Sequence, residues 1–236
     1  MPRSTGQAAI KNRLLDALPR RDRDRLLASA DQVELKLSNV LCEAEERIRH
    51  VFFPTGSFIS LISPIDAAAS LEVGLVGDEG MLGTSLVLGV NSAPQRALVQ
   101  GSGTAWRLTA LSFSRELERS VALQQLLKRY LYVTMCQVAQ TAVCTHYHDV
   151  EARLARWLLM SGDRAHCDQF FITQQFMSYM LGVRREGVTA AAGVLKKRKL
   201  IRYRRGEITI LNRRGLQNAA CVCYGTAKET YRRVLS

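Results

Sequence analysis

The sequence predicts an α+β chain, with a jelly-roll-like antiparallel β-roll in front, a long helix after it, and a small helical unit with a two-stranded hairpin behind. Three observations carry this. Between about Val33 and Leu111, short β-rich runs alternate with glycine and proline. From Leu111 onward those two residue types vanish until Gly162. Then "TQQFMSYMLGVRREGVTAAAGVLKKRKLI", Thr173 to Ile201, places two helical apolar patterns about a glycine and leads into an alternating segment.

Residues 1–29 read as N-terminal helices. Ile10, Leu14, Leu15 and Leu18 share one face, Pro19 interrupts, and Leu26 and Leu27 follow. Residues 30–111 form the roll. Its strands are legible in "HVFFPTGSFISLIS", "SLEVGLVG" and "RALVQGSGTAWRL", with glycine and proline between or beside them. Such a roll encloses space for a small ligand. Residues 112–148 form the long helix. Its apolar positions, among them Leu123, Leu127, Tyr130, Met135, Val138 and Val143, cover more than one side. A helix with more than one apolar face packs on two things, here its own roll and a second copy of the chain. The alternative is a helix wholly inside one chain's core. Residues 149–236 complete the chain, beginning with a helix from about Asp149 to Ser161.

In this last part Thr173 stands at an N-cap, Phe176, Met177 and Met180 face inward, and Gly182 supplies a tight turn. The next helix, about Arg184 to Lys197, has Val188, Ala191, Ala192 and Leu195 at core spacing. Its opposite face holds Arg185, Glu186, Thr189, Ala190, Gly193, Lys196 and Lys197. Two helices about a short glycine turn are a helix-turn-helix. Small residues let such a helix enter a DNA major groove roughly 12 Å wide, arginine can fork onto guanine, and glutamate accepts from cytosine. "KLIRYRRGEITILNRRGL" then alternates Ile201, Tyr203, Ile208 and Ile210 about Arg205-Gly206, so a wing brings Arg202, Arg204 and Arg205 beside the helix.

The charge supports a polyanionic partner for this part. The net charge is +12. From His166 onward there are 14 Lys and Arg against 4 Asp and Glu, while residues 1–165 carry 19 against 17. A positive field confined to the last third points to duplex DNA.

Other classes find little support. The 236 residues contain no apolar run long enough to span a membrane and no signal-peptide core, so a cytoplasmic protein is expected. The six cysteines form no regular framework; they are expected reduced and structural. Cys144 and His148 lie four apart, which is two ligands and not a site, and Cys221-x-Cys223 has no neighbouring pair in the sequence, so no metal is expected. No nucleotide-binding, metalloprotease or nucleophile-elbow motif occurs, so no catalytic residue is assigned and no enzyme is expected. Asp78–Glu79 and Glu45–Glu46 read as solvated loops.

The layout resembles the Crp/Fnr family of bacterial transcription regulators, on the strength of "LGVRREGVTAAAGVLKKRKLIRYRRGEITILNRRGL" and the roll before it. The resemblance implies a cyclic-nucleotide-binding-like roll, a dimerisation helix and a winged helix-turn-helix. It implies base reading by Arg185 and Glu186, with Thr189 and Ala190 where the family often places a further base-reading pair. Thr173, Arg184, Lys196, Lys197, Arg202, Arg204 and Arg205 complete the DNA surface. The implied effector pocket lies in "GMLGTSLVLGVNSAPQRALVQG", with Gly83, Thr84, Ser85, Gln95, Arg96 and Ala97 as its candidates. Gly83 fits the family's glycine, but Thr84 replaces the glutamate that holds a ribose, and Gln95 and Arg96 stand where arginine and serine hold the cyclic phosphate. Cyclic AMP in the usual mode is therefore not expected, and no cofactor is assigned. The iron–sulfur branch needs N-terminal cysteines, of which residues 1–41 have none. Nothing marks haem ligands. The expected partners are double-stranded DNA, a second copy of the chain and RNA polymerase, with no membrane. The alternative is a ligand-binding or interaction module carrying a degenerate winged helix.

Overall fold

The structure is a computed structural model that describes residues 12–64, 70–204 and 206–235. It opens with α1 (Arg13–Asp16) and α2 (Arg20–Ala28), separated at Pro19. Asn12 anchors them. Its Oδ1 accepts from the Leu15 amide, and its Nδ2 donates to the carbonyls of Pro54 and Gly80 in the roll. Leu14, Leu15, Leu18 and Leu26 are buried, whereas Ile10 lies outside the described residues.

The roll is built from two antiparallel sheets. One runs β1 (Asp31–Leu35), β7 (Gly103–Thr109), β3 (His50–Pro54); the other runs β2 (Val40–Cys42), β6 (Arg96–Gly101), β4 (Phe58–Pro64), β5 (Ser70–Val76). The alternation of β-branched and aromatic residues sends Leu35, Phe52, Ile59, Val76, Val99 and Ala105 into one apolar core between them.

The long helical stretch differs from its expected form at its start. It is divided into α3 (Ala110–Arg119) and α4 (Val121–Tyr147). Ser120 adopts an extended backbone, and its hydroxyl accepts from the Leu123 amide, so the chain re-caps there instead of running straight from residue 112. One side of α4 buries Leu123, Leu126, Leu127 and Tyr130 in the cluster it shares with the roll and the N-terminal helices, and Val133 is enclosed as well. Its outward side leaves Tyr132, Met135, Val138 and Tyr147 exposed, Met135 by 69%.

After α5 (Val150–Ala165), capped by Asp149, come β8 (Gln169–Phe171), α6 (Gln174–Leu181), α7 (Arg185–Lys197), β9 (Ile201–Arg204), β10 (Glu207–Ile210), α8 (Arg213–Ala219) and α9 (Cys223–Leu235). The wing is a three-stranded sheet in the order β8-β10-β9, with Tyr203 opposite Ile208 and Ile201 opposite Ile210. Leu154, Leu158, Met177, Val188, Leu195 and Leu216 form the core of this part, and it continues onto Ile62 and Leu98 of the roll.

Polar groups tie the two parts together. The Trp157 indole on α5 donates to Glu72 Oε1 at 2.8 Å, and the Ser60 hydroxyl donates to Oε2 at 2.6 Å. Burial pushes the Glu72 carboxyl up to about 7, against the opposing pull of those two hydrogen bonds. Asp78 and Glu79, expected in a solvated loop, are buried instead. Arg13 lies 3.1 Å from Asp78, and His166 of the later domain lies 3.3 Å from it. Arg164 approaches Glu79 at 2.6 Å, a charge contact without hydrogen-bond alignment. These carboxylates tolerate burial because Arg13 and Arg164 bring opposite charge from distant sequence. The Tyr231 hydroxyl on α9 donates to the Glu79 carbonyl, and Leu235 packs on the N-terminal cluster, so α9 returns along α4 to the roll.

Candidate nucleic-acid interface

The interface begins at Thr173, whose hydroxyl accepts from the Phe176 amide at 3.1 Å and starts α6. Gly182 ends that helix in the left-handed region, at φ 60°, which a residue with a Cβ adopts only with strain. The turn is short enough that Arg184 already occupies the N-cap position of α7, with no side-chain cap. On α7 the residues at core spacing are all buried, with Val188 and Leu195 fully enclosed. A leucine buried to that degree contributes about 2–3 kcal/mol through lost apolar hydration. That burial fixes which side of the helix faces out.

The outward side carries the predicted residues. Arg184, Arg185, Glu186, Thr189, Ala190, Gly193, Lys196 and Lys197 are exposed. Thr189 turns back to the Arg185 carbonyl and meets the Gln174 amide oxygen at 3.2 Å, so α6 helps hold it. A Cβ placed on Gly187 or Gly193 would meet nothing within 4 Å. Packing within the chain therefore does not demand glycine at either position, although glycine inside a helix costs about 1 kcal/mol relative to alanine. The open space above them suits another molecule's approach.

The electrostatics follow the same logic. Arg184 and Arg185 stand at the N-terminal end of α7, where the helix dipole disfavours cations, and Glu186 offsets them in the same turn. Lys196 and Lys197 sit at the opposite, cation-favouring end. Arg198 is not free, because it pairs with Glu151 at 2.6 Å. Arg202 and Arg204 project from the wing beside α7, exposed. Arg205 lies outside the described residues. Sequence periodicity found α7 and its buried side but not β8, which is only three residues long, nor the Glu151 partner of Arg198 from another helix.

In the roll, a cavity of about 100 Å³ has Gly83, Thr84, Ser85 and Gln95 among its walls, together with Glu46, Arg49 and His50. Two of the predicted pocket residues are placed elsewhere. Arg96 lies 3.3 Å from Glu43 in an ion pair, and Ala97 is buried in the roll's apolar core. The register of β2 on β6 accounts for the ion pair: Cys42 lies opposite Ala97, so Glu43, next along the chain, comes level with Arg96. Thr84 begins a single 3-10 turn, Thr84–Leu88, with Gly83 before it at φ 98°.

Four further side chains converge that the sequence kept apart. Cys144 and His148 at the end of α4 meet Cys221 and Cys223 at the start of α9. Among the described residues no helix is long and apolar enough to cross a membrane.

Comparisons with known proteins agree with this geometry. Residues 152–219 match the family model of the Crp-like helix-turn-helix domain. No curated protein matches the chain in sequence. Among solved structures, the chain is similar to one described as a Crp/Fnr-family transcriptional regulator from Eubacterium rectale, at 15% identity, covering 87% of this chain and 96% of that one with a TM-score of 0.68. It is similar to FixK2 from Bradyrhizobium japonicum at 13% identity, covering 81% and 98%, TM-score 0.68. It is also similar to a CRP-family transcriptional regulator from Thermus thermophilus, at 14% identity, covering 80% and 96%, TM-score 0.68.

Proposed function

We propose that this chain, a Crp-like helix-turn-helix domain joined to a roll of the Crp/Fnr fold, is a transcription regulator that reads duplex DNA as a homodimer. The observation that carries the reading is the outward face of α7, with Arg185 and Glu186 exposed beside two glycines that have open space above them. Arg185 reaches guanine and Glu186 accepts from cytosine, while Arg184, Lys196, Lys197, Arg202 and Arg204 hold phosphates. Thr189 and Ala190 face the same groove and set what fits there.

Support for the dimer comes from α4. Tyr132, Met135, Val138, Val143 and Tyr147 are exposed apolar residues on the side of this 27-residue helix opposite its buried face. Two-fold pairing places half-sites about 34 Å apart, one helical turn of DNA. The roll is the sensing or effector domain. Its cavity of about 100 Å³ falls below the roughly 300 Å³ at which small-molecule sites begin. Thr84 offers no carboxylate for a ribose, and Arg96 is engaged with Glu43. Both features speak against cyclic AMP in the usual mode. RNA polymerase is the expected further partner, on the family resemblance alone.

The test is selection from a pool of random duplexes, followed by footprinting of the enriched sites. A protected palindrome with half-sites one turn apart is the expected result. Enrichment of no common sequence, with equal affinity for every duplex, would leave only nonspecific charge attraction.

A further inference from the structure

The hinge between the long helix and the reading domain carries a cluster that DNA recognition does not use. Cys144 is in the last turn of α4, His148 caps that helix, Cys221 follows α8, and Cys223 opens α9. Their four donor atoms lie within 4.8 Å of one another, with all three cysteines buried and the histidine half-buried. The Cys144 and Cys221 sulfurs are 3.5 Å apart, and Cys223 Sγ is 3.6 Å from His148 Nδ1. None of these thiols is in a disulfide.

Those separations have a simple meaning. A tetrahedral zinc ion, with Zn–S near 2.3 Å and Zn–N about 2.0–2.1 Å, has donor-to-donor edges of about 3.5–3.8 Å. Three thiolates and one imidazole also make a closed ligand set, of the kind that structural zinc uses. The surroundings are built for negative charge. Arg156 is 9% exposed, its Nε has no hydrogen-bond partner, and it lines the same small cavity as Cys144, Arg153 and the Glu72 carboxyl, a group that burial keeps largely protonated. A buried guanidinium nitrogen without a partner is destabilising unless an anion lies near. Three thiolates around a dication leave one net negative charge there. The Gln140 amide donates to Cys223 Sγ at 3.0 Å, the contact by which a second group orients a metal-bound thiolate. Three buried thiols kept only as small apolar side chains would not need the Gln140 donor.

We infer that Cys144, His148, Cys221 and Cys223 bind one zinc ion, which fastens the end of α4 to the start of α9. Binding releases the thiol protons and involves no redox step. The clasp joins the dimerisation helix to the part of the chain that carries the winged domain, so the ion sets how that domain is held. The site stands on its own geometry and does not depend on what the winged domain binds.

The experiment uses the full chain, purified under reducing conditions without chelator or metal-affinity resin. Elemental analysis should find one zinc per chain. Cys144→Ser and Cys223→Ser should lose it, while Cys42→Ser and Cys136→Ser keep it. Since the first two variants can fail to fold, cobalt(II) chloride is also titrated into the chelator-stripped wild-type protein. It should give thiolate-to-cobalt charge transfer and the intense visible bands of a tetrahedral site, saturating at one equivalent. A protein that holds no zinc and gives no such spectrum overturns the assignment. So does a Cys144–Cys221 disulfide in freshly isolated, metal-free protein, which would make the pair a redox element.

Discussion

Arg185 occupies a place where the helix it sits on does not favour it, since a cation in the first turn opposes the dipole. Replacing it with alanine should leave the fold's stability nearly unchanged or slightly raised, while specific DNA affinity falls by about 1–3 kcal/mol. Fluorescence anisotropy against the selected operator and a scrambled duplex checks this; Glu186→Ala should lose affinity likewise, but with slightly lowered stability, since it removes the anion the first turn favours. Retained operator preference in both variants would remove these residues from base reading. Gly193 makes the opposite trade. Gly193→Ala should raise unfolding stability by about 0.5–1 kcal/mol, because nothing within 4 Å opposes the new Cβ. It should weaken operator binding at the same time, and urea melts paired with binding isotherms would show both. Glu72 gives a pH signature. Its carboxyl is pushed from an ordinary 4.5 up to about 7 by burial, so the folded state holds a proton that the unfolded chain releases. The stabilisation is fully present below about 4.5 and lost as pH rises through about 7, by about 3 kcal/mol in all. Glu72→Gln keeps an acceptor for Trp157 and should flatten that slope in urea melts taken from pH 4.5 to 7.5. An unchanged slope would mean that Glu72 does not carry the titration.

At the level of elements, α4 makes the strongest demand on a partner. Met135→Glu should leave the roll intact, since Met135 faces away from the buried side, yet convert a dimer to a monomer in analytical ultracentrifugation. A variant that stays dimeric would move the interface elsewhere. Much of this architecture could be read from local pattern. The spacing of Val188, Ala191, Ala192 and Leu195 fixed the buried side of α7, and the alternation about Gly206 gave β9 and β10. What escaped was set by distant partners or by brief local chemistry. Ser120 breaks the long helix through one side-chain cap, with no glycine or proline to announce it. Asp78 and Glu79 look solvated until Arg13, Arg164 and His166 arrive. Arg96 meets Glu43 because the pairing of β2 with β6 brings them level, which no spacing argument contains. Cys144 and Cys221 are 77 residues apart and meet only through the return of α9.

For the molecule as a whole, the segregated charge sets how binding responds to salt. Arg184, Arg185, Lys196, Lys197, Lys199, Arg202 and Arg204 are exposed around α7 and the wing, whereas Arg198 is occupied by Glu151. If about six of them neutralise phosphates, log affinity should fall with log salt at a slope of about −5 for each bound domain. That is a loss on the order of a thousandfold between low and moderate salt. A slope near zero in titrations with potassium chloride would mean that these cations lie away from the duplex. The fold's last helix has a further bearing on how the chain can be divided. Because Tyr231 hooks onto the Glu79 carbonyl and Leu235 reaches the N-terminal cluster, a fragment cut out after residue 148 would lose the surface on which α9 rests. Such a piece would come away with an uncovered greasy flank and should precipitate or melt early. The winged domain is therefore no pendant swinging from a tether, and calorimetry on the intact protein should register one joint transition in place of two.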